Sequence, residues 1–515
     1  MRMVWLELLY GILATWLALY GLNSLMLTVI HLLGRSRQAQ MSSQRDSWPS
    51  VTVQLPIYNE QHVVERLIAA VAALDYPRDS LQIQVLDDST DETTTITQRA
   101  VAHYAQMGIP IQYLHRSQRI GFKAGALAEG LRHARGELVA IFDADFIPPP
   151  DFLRRIVPCF SSADVGCVQA RWEHLNRTYS TLTRAQALGI DGHFVVEQGA
   201  RNQARFLLNF NGSAGVWRRA CIEEVGSWHT DTLTEDLDLS YRAQLAGWRI
   251  IYVSDVKVPA ELPPQMDALR RQQARWAQGS IQVARKLLLP LWRAEQPWFV
   301  KIEATLHLTG YMVHPLMLMT LLLTLPLSLT SNRVATFVPY FLFATIGPPL
   351  LYLVAQYKRG PGWWRELWFM PFLLLLGMGL SLNNAVAMAC ALLGRQAEFR
   401  RTPKFDIRDT CGHWHDSMYA LRCTSLVWYE LGLAAFSWAM AMLAVRRGRF
   451  PLALWLVIYG LSYAYVAGTS LVQNMQRKQK EAAQRQSRRL AKEVRLATTT
   501  PQDSMGARSV SFYER

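Results

Sequence analysis

None of the six cysteines (Cys159, Cys167, Cys221, Cys390, Cys411, Cys423) stands in a CxxC pair. That speaks against a zinc site or a disulfide framework and makes a reducing compartment the default for the soluble part. Negative charge is scarce: 40 Asp and Glu face 54 Lys and Arg, a net charge of +14. Nucleic acid is one partner that such a balance suggests. No reader motif supports it, however, and the positive charge is spread over segments beside apolar runs. An anionic cytoplasmic leaflet accounts for it better, and nucleic acid is set aside as a partner. No internal repeat is apparent. The first apolar run lacks an A-x-A-like cleavage site, so it is not read as a signal peptide.

What is present is long apolar sequence. Half of the 515 residues are hydrophobic, yet 18% are charged, a mixture that suits a membrane protein with a sizeable soluble domain. Residues 4–32 hold a single charge, Glu7, and are long enough to span a bilayer. Arg35, Arg37 and Arg45 follow, which places the next segment in the cytoplasm and the N-terminus outside. Further spans are expected at 304–328, 335–356, 425–445 and 451–472. The run 367–393 is also apolar. If it crossed, the basic stretch 394–424 (Arg395, Arg400, Arg401, Lys404, Arg408, Arg422) and the basic tail would lie outside. If it re-enters or lies in the interface, both are cytoplasmic and only Arg446, Arg447 and Arg449 violate the rule. The charge count favours the second arrangement, with five spans. After residue 474 ten basic residues face four acidic ones, a solvated or lipid-touching tail.

Between 50 and 265 the pattern alternates strand and helix. Val51–Pro56, Leu81–Leu86 and Leu138–Phe142 read as strands, and 61–74 as a helix. This order argues for a doubly wound sheet with a Rossmann-like nucleotide-binding half, whose ligands sit at the carboxyl ends of strands. The polar motifs fall there. Tyr58, Asn59 and Glu60 follow the first strand; Asp87 and Asp88 end the second; Asp143-Ala144-Asp145 ends the third. Carboxylates at i and i+2 after a buried strand suit a divalent ion on a diphosphate. Lys123, between Gly121 and Gly125, can reach a phosphate. Thr234-Glu235-Asp236 opens a helix. There the acids either complement the helix dipole or supply a general base. Residues 267–289 are amphipathic, with Leu269, Trp276, Val283 and Leu287 expected on one face. Gln272-x-x-Arg275-Trp276 on that helix offers an amide, a guanidinium and an indole for a sugar or diphosphate. The same set is also an ordinary interfacial arrangement.

The ordered series Asp88, Asp143-x-Asp145, Thr234-Glu235-Asp236 and Gln272-x-x-Arg275-Trp276 resembles the D, DxD, [TE]ED, QxxRW signature of inverting, membrane-embedded family 2 glycosyltransferases such as cellulose, chitin and hyaluronan synthases. Val168–Trp172, Phe210–Arg218 and Arg270–Trp276 look most like the cellulose-synthase-like A group, the plant mannan and glucomannan synthases. Asn211 stands where cellulose synthases proper usually carry cysteine. Phe399-Arg400-Arg401-Thr402-Pro403-Lys404 is similar to the FxVTxK gating loop of bacterial cellulose synthase, with Arg401 in place of valine.

The resemblance implies an α/β GT-A (Rossmann-like) cytosolic domain plus an all-α transmembrane bundle. It divides the chain into an N-terminal helix and basic linker (1–45), a GT-A domain (46–265) and interfacial amphipathic helices (266–303). Transmembrane helices follow (304–473), with an interfacial segment at 367–393 and a gating-like loop at 394–424, and then a basic cytoplasmic tail (474–515). Asp236 becomes the catalytic base. Tyr58, Glu60, Asp88, Lys123 and Asp143 contact the nucleotide, and Asp143 and Asp145 hold Mg2+ or Mn2+. Glu235, Gln272, Arg275 and Trp276 meet acceptor or diphosphate, and Phe399, Thr402 and Lys404 close over it. The implied activity is hexose transfer from UDP-glucose or GDP-mannose to a β-linked glucan, mannan or glucomannan at the plasma membrane, in a multi-pass protein. Glycolipid glucosyltransferases share much of the signature, so a lipid acceptor stands as the alternative, with a non-catalytic scaffold behind it. Partner subunits cannot be read from the motifs.

Overall fold

The strand-forming runs build one mixed seven-stranded sheet in the computed structural model, which describes residues 2–34, 48–330, 338–394 and 399–498. Arg35, Arg37, Arg45 and Arg395, the start of the expected 335–356 span and the end of the tail lie outside the described residues. The chain enters through helix α1 (Arg2–Leu33) and reaches strand β1 (Val51–Ile57). Strands β2 (Leu81–Asp87), β3 (Ile111–His115), β4 (Leu138–Ile141), β5 (Val165–His174), β6 (Gly215–Arg218) and β7 (Arg249–Ala260) complete the sheet in the order β3-β2-β1-β4-β6-β5-β7. β1 to β4 run parallel, while β6 runs antiparallel to both its neighbours.

Strand β4 explains why its run is uniformly apolar. Leu138 and Ala140 point into one core with Val53, Leu55, Ile83 and Leu67. Val139 and Ile141 point into the other, with Leu127, Phe210 and Trp217. A sheet covered on both faces needs hydrophobic residues at every position. Each fully buried Leu or Ile contributes about 1.5–3 kcal/mol. Strand order reverses between β1 and β4, and a crevice opens at the carboxyl ends of such a switch point. Residues 56–60, 87–90 and 142–145 line up there because Pro56 registers with Leu86, and Gln54 with Ile141.

Helix α2 (Val64–Ala72) and helix α3 (Phe122–Arg132) flank the sheet. Helix α4 (Glu235–Leu245) carries Glu235, Asp236 and Asp238 in its first turn, where the dipole favours acids. Thr234 makes no capping hydrogen bond. Helix α5 (Met266–Arg293), about 42 Å long, runs under the domain. Leu269, Val283 and Leu287 are buried. Trp276 departs from the expected common face: it is half-buried and lines the crevice, because α5 is covered by the α/β domain on one side and by other helices on the other.

Five helical segments among the described residues are long and apolar enough to cross a membrane: Val4–Leu33, Gly310–Ser328, Trp363–Leu392, Leu426–Arg446 and Phe450–Ser487. They fall in α1 and in helices α6 (Val313–Thr330), α8 (Met370–Gly379), α9 (Ser381–Leu392), α10 (Leu426–Arg446) and α11 (Phe450–Thr498), the last of which runs on beyond its span, while helix α7 (Val338–Arg359) precedes α8. This set includes 363–392, which the charge count kept out of the bilayer, and leaves out the described part of the 335–356 segment. Gly347 of α7 packs on α1 so closely that a Cβ would stand 2.0 Å from the Gly21 carbonyl oxygen. The end of α7 is tied to the α/β domain: Arg359 donates to Glu173 and Asp191 at 2.9 and 2.8 Å. The two ends of 363–392 also meet that domain side. The Arg184 guanidinium lies 4.7 Å from the Phe369 ring, and Arg285 of α5 donates to the Ala391 carbonyl at 2.5 Å.

Candidate active site

Every residue to which the resemblance gives a site role lines one crevice at the carboxyl ends of β1, β2 and β4. Tyr58, Glu60, Asp88, Lys123, Asp143 and Asp145 come from the sheet side; Glu235, Asp236, Gln272, Arg275 and Trp276 from α4 and α5; Phe399, Thr402 and Lys404 from the 399–424 loop.

At the β2 end of the crevice, Asp88 accepts a two-toothed bond from Arg116, at 2.8 Å from Nε and 2.5 Å from Nη2. Arg116 also holds the carbonyls of Ile120 and Phe122, so it fixes the loop before α3. The Arg119 guanidinium lies 3.5 Å from the Tyr58 ring centre, a flat charged face at the mouth.

Lys123 lies at the middle. Its ammonium is 2.5 Å from Asp143 and 3.8 Å from Glu235, and it donates to the Gly212 carbonyl at 2.8 Å. Burial alone would lower its pKa, but Asp143 and Glu235 carry it above the ordinary lysine value. Lys404 donates to Asp145 Oδ2 at 2.6 Å and to the Glu261 carbonyl at 2.7 Å. Each carboxylate of the DxD therefore has its own lysine.

Asp236 differs. Its carboxyl is pushed up to about 7, first by burial and then by neighbouring Glu235, with Lys123 opposing. Gly212 lets it sit there: a Cβ at that glycine, whose φ is +81°, would come within 2.8 Å of Asp236 Oδ2.

The loop lies over the crevice through ionic contacts. Arg401 pairs with Glu60 at 2.9 Å and stacks 4.1 Å from the Tyr419 ring centre. Arg66 pairs with Asp406. The Glu261 carboxylate accepts from the backbone N–H groups of Phe405 and Ile407 at 2.8 and 3.3 Å. Phe399 stacks on Phe122 and lies under the Arg275 guanidinium. Burial pushes both Glu60 and Glu261 up to about 7.

Sequence reasoning missed Glu261, Arg116, Arg66 and Arg119. Glu261 follows β7, and an acid just after a strand end is the signal that would have found it. The arginines carry no motif; only the fold brings them to the crevice.

The DxD donor set fits a hard divalent ion. Two carboxylates two residues apart face the crevice, the Asp143 side chain is one-third exposed, and each already holds a cationic group. Two other acid–histidine clusters are balanced by the protein's own cations. Glu173, His174 and Asp191 meet Arg177 and Arg359, and His229, Asp231 and Asp238 meet Lys286.

Comparison with known proteins agrees with this geometry. Residues 49–279 match the family model described as glycosyltransferase like family 2. The probable glucomannan 4-beta-mannosyltransferase 7 of Oryza sativa subsp. japonica is 40% identical over 359 residues, covering 68% of this chain and 60% of that protein. Glucomannan 4-beta-mannosyltransferase 1 of the same rice is 44% identical over 252 residues, 48% of each chain. Glucomannan 4-beta-mannosyltransferase 2 of Arabidopsis thaliana is 43% identical over 260 residues, 50% of this chain and 49% of that one. The matched segments thus span about half to three-fifths of those curated relatives. Among solved structures, the mannosyltransferase PcManGT from Pyrobaculum calidifontis, in complex with GDP-Man and Mn2+, shares the fold. It has a TM-score of 0.51 and 21% identity, covering 75% of this chain and all of that one. Residues 49–279 are a family 2 glycosyltransferase domain of GT-A type, and the chain that carries it is a relative of the glucomannan 4-beta-mannosyltransferases.

Proposed function

We propose that this chain is an inverting hexosyltransferase that moves a sugar, mannose from GDP-mannose before glucose from UDP-glucose, onto a β-linked mannan or glucomannan at the membrane. The observation that carries the reading is the division of acids in one crevice: a lysine-neutralised DxD beside a buried Asp236 pushed up to about 7. A group with that pKa takes a proton near neutral pH, which a general base must do.

Asp236 accepts the proton of an acceptor hydroxyl. That oxygen forms a bond to C1 of the donor as the bond from C1 to the diphosphate breaks, so an α-linked donor yields a β-linkage. Lys123, Arg275 and Lys404 offset the charge that grows on the leaving diphosphate. Asp143 and Asp145 would hold Mg2+ or Mn2+, which when bound supplies further charge stabilisation on that diphosphate. Trp276 gives a flat face for the acceptor ring, and Tyr58, Glu60 and Asp88 stand at the nucleotide end. Phe399, Thr402 and Lys404 close over the donor.

The same reading places the domain in the cytoplasm of a multi-pass plasma-membrane protein. Both ends of 363–392 touch the domain side, which supports a segment that enters and leaves on one side. The 399–424 loop and the tail then share the domain's compartment. The plant similarity favours mannose, and the lid residues favour a polymer.

Membranes carrying the protein, incubated in turn with labelled GDP-mannose and UDP-glucose, should incorporate label from GDP-mannose into insoluble, mannanase-sensitive polymer. Asp236→Asn should not. Label found only in lipid extract would replace the polymer with a glycolipid; no label from either donor would remove the enzymatic reading.

A further inference from the structure

Helix α5 does more than carry the acceptor-side motif. Gln272, Arg275 and Trp276 line the crevice in its first half. At steps of three or four residues, which keep side chains on one stripe, come Gly279, Gln282 and Lys286. None of these three lines the crevice; all three touch the segment that leads into Asp236.

The contacts are specific. A Cβ on Gly279 would stand 2.5 Å from Thr234 Cγ2 and 2.7 Å from its Oγ1, so the threonine rests directly on the helix backbone. Gln282 Oε1 accepts from the Leu233 N–H at 2.9 Å. The Lys286 ammonium donates to His229 Nδ1 at 2.8 Å and to Asp231 Oδ1 at 2.9 Å, and lies 2.8 Å from Asp238 Oδ1. It fills the space that these three ligand atoms enclose, which makes the cluster a lysine socket rather than a metal site. The far oxygen of Asp238, whose side chain is fully buried, takes Arg242 at 2.7 Å.

Residues 229–234 have no helix or strand of their own. Left alone, each would keep its backbone freedom, and Asp236 would inherit it. A base must stand within about 2.6–3.2 Å of the proton that it takes. Here the helix that presents Trp276 to the acceptor also grips the loop that presents Asp236. One rigid element then sets the distance between the sugar's platform and the group that deprotonates it.

We propose that Gly279, Gln282 and Lys286 are positioning residues, which hold the 229–234 segment on α5 and so set where Asp236 meets the acceptor hydroxyl. The proposal rests on Asp236 being the base. None of the three lines the crevice, and their contacts go to residues 229–238 and not to the carboxylates of the DxD, so they act on the chemical step and not on donor binding.

The full-length protein in lipid nanodiscs tests this with Gly279→Ala, Lys286→Met, Lys286→Arg and Asp236→Asn. Labelled GDP-mannose transfer is followed beside GDP binding by calorimetry and hydrogen exchange of peptides covering 229–237. A misplacement of about 1 Å costs on the order of 10²-fold, so Gly279→Ala should lower kcat by about that factor with donor KM and GDP affinity unchanged. Lys286→Met should lower kcat less, and Lys286→Arg should recover most of it. Exchange in 229–237 should rise in Lys286→Met while the rest of the domain stays protected. Unchanged kcat and unchanged exchange in both Gly279→Ala and Lys286→Met, with Asp236→Asn inactive, would overturn the proposal and leave the base standing. Loss of GDP affinity and thermal stability in step with kcat would reduce the contacts to packing and also overturn it. An Asp236→Asn variant at the wild-type rate would remove the base, and the proposal with it.

Discussion

Two pairs of carboxylates share one crevice and live in opposite electrostatic conditions. Asp143 and Asp145, after β4, each face a lysine: Lys123 at 2.5 Å and Lys404 at 2.6 Å. Glu235 and Asp236, at the start of α4, have weaker counter-charge: Lys123 at 3.8 Å from Glu235, and Arg275 acting on Asp236 from further off. Burial and the adjacent Glu235 push Asp236 up to about 7. The chemistry of the side chains is nearly the same; the supply of counter-charge is not. Pairs of acids whose surroundings differ in this way commonly divide the work of a site between charge-holding and proton transfer. The lysine-paired acids suit an anionic donor with its divalent ion, and the under-compensated pair suits a base.

The strongest test of that contrast is Asp236→Asn. General-base catalysis contributes about 10²–10⁴-fold, so kcat should fall by that factor while GDP binding, measured by calorimetry, holds. Asp143→Asn should do the reverse and weaken nucleotide binding. Next comes Lys123→Met, which removes a cation that lies beside both pairs. Lys123 lowers the Asp236 pKa, so its loss should carry the rising limb of the rate–pH profile to higher pH by about one unit and weaken donor binding too. A variant that weakens binding with the limb unmoved would separate the pairs. Smaller still is Glu235→Gln. Glu235 raises the Asp236 pKa. With Asp236 as the proposed base, active as the carboxylate, the wild-type rate should rise with pH through about 7, and the variant's limb should move to lower pH. A limb that moves upward would show that Glu235 is not a like-charge neighbour in the working state.

How much of this was legible in the sequence follows the same division. The strand ends were readable because β1 and β2 alternate apolar with polar residues, β4 is apolar throughout, and acids stand just after these runs stop. The four-part motif order placed Asp88, Asp143, Asp145, Asp236 and Trp276 in one crevice before any coordinates. Counter-charges were not legible. Arg116 reaches Asp88 from β3's end, Arg66 reaches Asp406 of the 399–424 loop from α2, and Glu261 meets Phe405 across 144 residues of chain. No local pattern marks such pairings, because only the sheet order and the path of the 399–424 loop bring them together. The face of α5 was half right for a similar reason. Amphipathicity reports how much of a helix is covered, not whether the cover is lipid or a second protein surface.

The smallest predicted effect is read in stability instead of rate, and sets two buried acids short of counter-charge against one that has it. Glu261 and Glu60 are each raised from the ordinary glutamate value to about 7 by burial. A raised acid binds its proton more tightly folded than unfolded. Its contribution to stability is therefore fully present below the unfolded value of 4.5 and is lost as pH rises through about 7. Glu197 is the opposite case, held down at about 2 by His193 and Arg201 against the pull of burial, so its contribution is complete above 4.5 and flat in the same window. The melting temperature should accordingly fall between pH 5.5 and 8, with each raised acid worth on the order of 1–2 kcal/mol. Glu261→Gln should flatten part of that slope, since the amide still accepts one backbone N–H from the lid but no longer titrates. Were the slope identical in Glu261→Gln, Lys404 and Arg66 would fully offset the burial of Glu261, and this end of the crevice would be compensated throughout, as the lysine-paired DxD is.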